Sequence, residues 1–150
     1  MKPSERAIKF IESLTLSGDY AGKPFILRDW QKNILRKIFD TRNEDGTRQY
    51  REAGIWLPRK SAKTELAAAI CCFFMFCDID GKGDPKQLEV YSAASEREQA
   101  GIIFKKMQGM IEANPHLMRL SKIVANQKRI INKKTGSVFA SLSSVASSQH

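Results

Sequence analysis

The stretch Ala53 to Ile70, AGIWLPRKSAKTELAAAI, constrains the chain more than any other. Ala53 to Leu57 is an apolar run of strand length. Pro58 to Ala62 is a basic, proline-containing loop, and Lys63-Thr64 opens a helix-forming apolar segment. Strand, tight loop, Lys-Thr and helix, in that order, is the arrangement of a phosphate-binding loop, or P-loop. The chemistry requires the order, because backbone N–H groups at a helix N-terminus face the phosphates and the helix dipole favours their charge. In such a loop Lys63 reaches the β/γ-phosphates and the Thr64 hydroxyl ligates Mg²⁺.

The pattern G-x-x-x-x-G-K-[ST] laid on residues 57 to 64 keeps Lys63 and Thr64 and replaces both glycines, with Leu57 at the first and Ala62 at the second. Alanine at the second position is the milder change, since it adds only a methyl near the phosphates. The competing reading of the same residues is an ordinary basic loop in front of a buried helix.

A chain of 150 residues is enough for one domain with a real core. No stretch approaches the ~20 apolar residues of a membrane span. Leu66 to Cys77 is apolar nearly all round but too short to cross, which predicts a helix buried within the core. The N-terminal MKPSERAIKF lacks the apolar region of a signal peptide, so the protein reads as cytoplasmic, with no membrane partner. Lys and Arg number 25 against 16 Asp and Glu, a formal charge of +9 that favours a polyanionic partner such as nucleic acid. Cys71, Cys72 and Cys77 share the apolar helix at a spacing unlike a zinc site, and read as buried free thiols.

Ala7, Phe10, Ile11 and Leu14 predict an amphipathic helix to about Leu16, stopped by Ser17-Gly18-Asp19. After the anchor Phe25-Ile26-Leu27 a second helix is expected over Arg28 to Phe39, with Trp30, Ile34, Leu35 and Ile38 inside. Asp40 to Glu52 reads as a surface turn centred on Asp45-Gly46, either a mobile loop or the bend of a small hairpin. Asp78 to Lys86 is a connection whose Asp78, Asp80 and Asp84 lack the remaining ligands of a calcium loop and read as solvated. Leu88 to Tyr91 is a second strand. Ser95 and Glu98 form a capping box for a helix to about Ala113, stopped by Asn114-Pro115. Ile102, Ile103, Met107, Met110 and Ile111 form its apolar side. Ile123 to Ile131 and Ser137 to Leu142 are expected as two strands of a hairpin whose turn, Asn132 to Gly136, is flanked by Lys128, Arg129, Lys133 and Lys134. Ser141 to Ser148 is serine-rich and reads as a flexible tail. Alternation of strand and helix with short connections predicts an α/β domain over residues 1–150, with a mostly parallel sheet flanked by helices.

With these pieces in order, the chain resembles the N-terminal part of a phage terminase large subunit, an ATP-driven motor that packages DNA into capsids. Phe25-Ile26-Leu27-Arg28-Asp29-Trp30-Gln31 looks like the family's adenine-recognition segment. Leu57 to Thr64 resembles its deviant Walker A, in which basic residues precede the Lys-Ser/Thr pair. Tyr91 to Ala94 with Gln99-Ala100 resembles the following strand and helix start, and Ser143 to His150 the loop leading to the Walker B strand.

The resemblance implies a P-loop NTPase-type fold, ATP and Mg²⁺ as cofactors, and a nucleotide-binding set of Phe25, Gln31, Arg59, Lys60, Ser61, Ala62, Lys63 and Thr64. Gln31 can pair with the N6/N7 edge of adenine and Phe25 can stack on the base. Arg59 and Lys60 add positive charge near the triphosphate. Lys63 is the catalytic residue and Thr64 the Mg²⁺ ligand. The implied partners are double-stranded DNA, a terminase small subunit and a portal protein. After Tyr91 no apolar run ends in Asp or Glu, so the Walker B carboxylate that holds Mg²⁺, the coupling motif and the nuclease domain are not found. The domain therefore reads as incomplete at its C-terminus, a truncated or interrupted form or a gene remnant, inactive alone as a P-loop ATPase. Alternatives are a helicase-like nucleic-acid-dependent ATPase, a basic nucleic-acid-binding module, and an inert prophage remnant.

Overall fold

A helix that is apolar on every side can be stable only if other elements surround it, and the fold is arranged to do so. The computed structural model describes residues 1–16, 22–50, 52–54, 63–79, 83–94 and 97–143. Its order is α1 (Pro3–Glu12), α2 (Asp29–Asp40), α3 (Lys63–Phe76), β1 (Glu89–Ala94), α4 (Arg97–Glu112), α5 (Pro115–Leu120), β2 (Ser121–Val124), a 3₁₀ turn (Ala125–Gln127), β3 (Arg129–Asn132) and β4 (Val138–Ser143). The apolar α3 lies between α1 and α4 and packs on β1 and β4. Leu66, Ala68, Ala69, Cys72, Phe73 and Met75 are buried. Where α1, α2 and α3 meet, the Phe73 ring packs edge-on against Phe10 and Phe39 at 6.0 and 5.5 Å.

The sheet has strand order β1-β4-β3-β2. β1 and β4 are parallel, whereas β4-β3 and β3-β2 are antiparallel, so the described sheet is mixed. Register places Val90, Phe139, Ile130 and Ile123 in one cross-strand row. All four join the core cluster that includes α3 and α4. The next residues along, Tyr91, Ala140, Arg129 and Val124, form a row on the opposite face, as the period of two requires. α/β class with helices against a sheet is as expected; the antiparallel pairs come from the basic C-terminal hairpin.

Several local expectations change. Ile123 to Ile131 is not one strand: a 3₁₀ turn and Lys128, in the left-handed region at φ 52, fold it into β2 and β3. The Lys128 side chain then crosses α4 at Gly101, where a Cβ would stand 3.0 Å from Nζ. Asn114-Pro115 ends α4 as expected but also opens α5: the Asn114 carboxamide oxygen accepts from the N–H groups of His116 and Leu117 at 3.1 and 3.2 Å. α1 ends at Glu12, short of Leu16, although Leu14 remains buried. In α2 the fully buried positions are Gln31, Leu35 and Phe39, with Trp30, Ile34 and Ile38 half-buried. In α4, Ile102 is exposed. Asp40 to Glu52 contains a small hairpin bend, with a bridge between Arg42 and Arg48 around Gly46.

Asp78, expected to be solvated, is 9% exposed and ion-paired with Arg48 and Lys86. The three thiols are free; burial pushes Cys71 up to about 11, Cys72 further, and Cys77 upward too. Ser141 to Ser143 belong to β4. The strand positions Ile55 to Leu57, the loop through Ala62, the stop at Ser17 to Asp19, Asp80, the Ser95 cap and the tail from residue 144 lie outside the described residues.

Asn132 joins the hairpin to the end of α3. It is 1% exposed; its Nδ2 donates to Met75 O at 2.9 Å and its Oδ1 accepts from Lys134 N–H at 2.9 Å. Replacing Asn132 with alanine leaves the buried Met75 carbonyl without this partner, and should cost about 1–3 kcal/mol in urea unfolding. A loss below a few tenths of a kcal/mol would show that the junction contributes little.

Candidate functional site

The same Asn132 bond fixes which end of the sheet faces the start of α3. It holds the C-terminal turn of α3 beside the edge where β3 ends and β4 begins. Helix α3 leads through residues 77–88 into β1 and packs along β1 and β4. Its N-terminus therefore lies toward the end where the parallel strands β1 and β4 finish. In open α/β sheets that carboxyl end is where ligands bind.

Lys63 and Thr64 are the first two residues of α3. Lys63 is exposed and Thr64 half-buried. Both line an open cleft of about 400 Å³ whose other walls are Ala53, Leu66, Ala67, Ile70 and Ile103. The first N–H groups of a helix have no intrahelical acceptor, so this end offers donors and the positive pole of the dipole to an anion. Glu65, one residue on, meets Lys106 of α4 at 3.0 Å with both side chains largely covered, fastening the start of α3 to α4. Sequence reading assigned Ile103 to the apolar side of α4 without placing it at the cleft, and did not find the Glu65–Lys106 pair, because neither residue of α4 carries a motif.

Gln31 and Phe25 do not line this cleft. Gln31 is 2% exposed, at the third position of α2, and its Oε1 accepts the Arg28 N–H at 2.8 Å. That is the reciprocal half of a capping box, and it fixes the carboxamide. Phe25 is buried with the core, while its neighbour Ile26 is exposed. Arg59, Lys60, Ser61 and Ala62 lie outside the described residues. Of the expected nucleotide-binding set, the structure thus brings Lys63 and Thr64 together at one cleft.

The donor set suits a Mg-triphosphate: a lysine and a threonine hydroxyl at an open helix N-terminus, with apolar walls beside them. Mg²⁺ typically takes few protein ligands and completes its shell with phosphate oxygens and water, so one threonine is a sufficient start.

Comparison with known proteins identifies the family. The family model of the terminase large subunit, ATPase domain, matches residues 29–149. The large terminase subunit of Enterobacteria phage HK97 is 29% identical over 152 residues, which takes in 100% of this chain and 28% of that protein. The crystal structure of the HK97 bacteriophage large terminase superposes with a TM-score of 0.77 at 28% identity, covering 95% of this chain and 28% of that one. The chain thus spans little more than a quarter of the length of the relatives it matches. No described helix is long and apolar enough to cross a membrane. With the family match covering most of its length, the chain belongs to the family of terminase large-subunit ATPase domains.

Proposed function

We propose that this chain binds Mg-ATP at the N-terminus of α3 and is the nucleotide-binding part of a motor that uses ATP hydrolysis to move double-stranded DNA into a capsid. The observation that carries the reading is the cleft at the first turn of α3, lined by Lys63 and Thr64. Lys63 stabilises charge on the β/γ-phosphates, and Thr64 offers its hydroxyl to Mg²⁺. A Mg²⁺ held by Thr64 would supply positive charge against the charge that develops on phosphoryl transfer. Arg59, Lys60, Ser61 and Ala62, which precede Lys63 in the sequence, complete the proposed nucleotide-binding set, with Arg59 and Lys60 adding positive charge for the phosphates.

Gln31 reads the adenine edge in this account. Its Oε1 is held by the Arg28 N–H, which leaves Nε2, with no partner among the described residues, to donate to adenine N7. Phe25 contributes through the buried packing that positions the segment before α2. Hydrolysis further needs a carboxylate to complete the Mg²⁺ shell and another to orient water, and no residue of this chain is assigned to either role. The chain alone therefore binds nucleotide and turns it over poorly. Double-stranded DNA, a small subunit and a portal protein are the partners of the complete motor, acting in the host bacterial cytoplasm.

Calorimetric titration of the folded chain with ATP, with and without Mg²⁺, tests the proposal. Saturable, Mg²⁺-dependent binding is expected, and its absence from a chain folded by circular dichroism would overturn it.

A further inference from the structure

Helices α1 and α2 begin the same way. The third residue of each turns its side chain back on the helix start: Glu5 of α1 accepts the Lys2 N–H at 3.2 Å, and Gln31 of α2 the Arg28 N–H at 2.8 Å. Such a bond satisfies one of the donors that a helix start leaves without an acceptor. Helix α3 also has an acidic third residue, Glu65. Its Oε1 instead stands 3.0 Å from Lys106 Nζ of α4. The pair is well covered, with 17% of the Glu65 and 25% of the Lys106 side chain exposed. Among the described residues, Lys106 is the one cation ion-paired with Glu65.

The difference matters because of what α3 presents. Lys63 and Thr64, directly before Glu65, line the cleft, and so does Ile103, one turn before Lys106 on the same side of α4. A carboxylate free to turn back would take an N–H of the helix start and set a negative charge at the positive end of the dipole. Those are the groups that a phosphate would use. Glu65 lies two residues beyond Lys63, about 3 Å along the axis, so its charge stands within about a Debye length of an anion at the first turn. An exposed ion pair contributes little to stability by itself. One that decides where an acidic side chain points beside an anion site has a larger consequence.

We propose, on the reading of this cleft as a nucleotide site, that Lys106 is a positioning residue: it draws Glu65 toward α4 and keeps the N-terminus of α3 open to phosphate. Lys106 touches no phosphate in this scheme and acts through Glu65 alone. A contact that merely fastens α3 to α4 behaves differently. Removing either partner then loosens the same contact, with the same effect. In the proposed scheme, removing Lys106 frees the carboxylate, whereas removing Glu65 removes the competitor.

The test is Mg-ATP calorimetry on the unmutated chain, Lys106→Met, Glu65→Ala and the double variant, each checked for folding by circular dichroism. Lys106→Met should bind about fivefold more weakly, the equivalent of one helix cap. Glu65→Ala should bind at least as tightly as the unmutated chain. Without Glu65 the Lys106 substitution should have no further effect, so the double variant should match Glu65→Ala. Equal weakening by the two single variants, or unchanged binding in Lys106→Met, overturns the proposal and leaves the pair as a fastening. A double variant as weak as Lys106→Met overturns it too. Should Lys106→Met not fold, Glu65→Ala decides alone: parental or tighter binding supports the proposal, and weaker binding overturns it. Absence of Mg-ATP binding by the unmutated chain overturns the nucleotide reading itself, and this inference with it.

Discussion

Lys63→Ala should abolish measurable Mg-ATP binding while leaving the chain folded. In the proposed site Lys63 makes charge-assisted contacts to the β/γ-phosphates. At about 1.5–3 kcal/mol each, losing two lowers affinity by a factor on the order of 100 or more. Folding should not suffer, because Lys63 is exposed at the first position of α3 and alanine is the best helix former. The neighbouring Glu65–Lys106 pair, which fastens this end of α3 to α4, is untouched. Calorimetry measures the loss, and an unchanged circular dichroism spectrum and thermal midpoint verify the fold. Retention of near-parental affinity in the variant would assign triphosphate binding to other residues.

The largest loss of stability is expected at Phe73. Its ring is 2% exposed and packs against Phe10 of α1, Phe39 of α2 and Phe74 beside it in α3. Phe73→Ala should cost about 3–5 kcal/mol, combining lost transfer energy with the cavity left between three helices. Against a typical domain stability of about 5–15 kcal/mol, that is a large fraction. Urea unfolding should show a much lower midpoint with little change in slope. A loss below about 1 kcal/mol would mean that the three helices close over the gap, and that the aromatic cluster is not what fastens α1 and α2 to α3.

The elements that were legible in the sequence carry their own local signal. An apolar run without a polar face could only be the surrounded helix α3, and the periodicity of α1, α2 and α4 identified each of them. Lys63 and Thr64 could be assigned to the start of α3 because the residue types and their position at a helix N-terminus are both local. The turn between β2 and β3 was missed because nothing in Ala125 to Lys128 is a glycine or proline; Lys128 takes the left-handed conformation without the residue that favours it. Helix α5 was missed because Asn114-Pro115 carries two meanings, helix stop and helix start, and only the first was read.

Asp78 shows a different limit. Three aspartates in a Gly- and Pro-containing connection look solvated, and what buries Asp78 is Arg48 from the bend after α2 together with Lys86. Such pairing depends on tertiary placement and has no local signature. The burial of Gln31 and Phe25 was hidden for a similar reason. Their motif reading concerns the ligand, whereas their burial is set by the capping of α2 and its packing on α1.

The central claim, that a triphosphate is held at the first turn of α3, is tested most directly by titrating Mg-ATP into the ¹⁵N-labelled chain. The account predicts the largest amide shifts at Lys63 and Thr64, smaller ones at Leu66, Ala67 and Ile103 along the cleft, and none at Thr47 or Ile79 from nucleotide at this site. Binding that leaves the first turn of α3 unperturbed would contradict it.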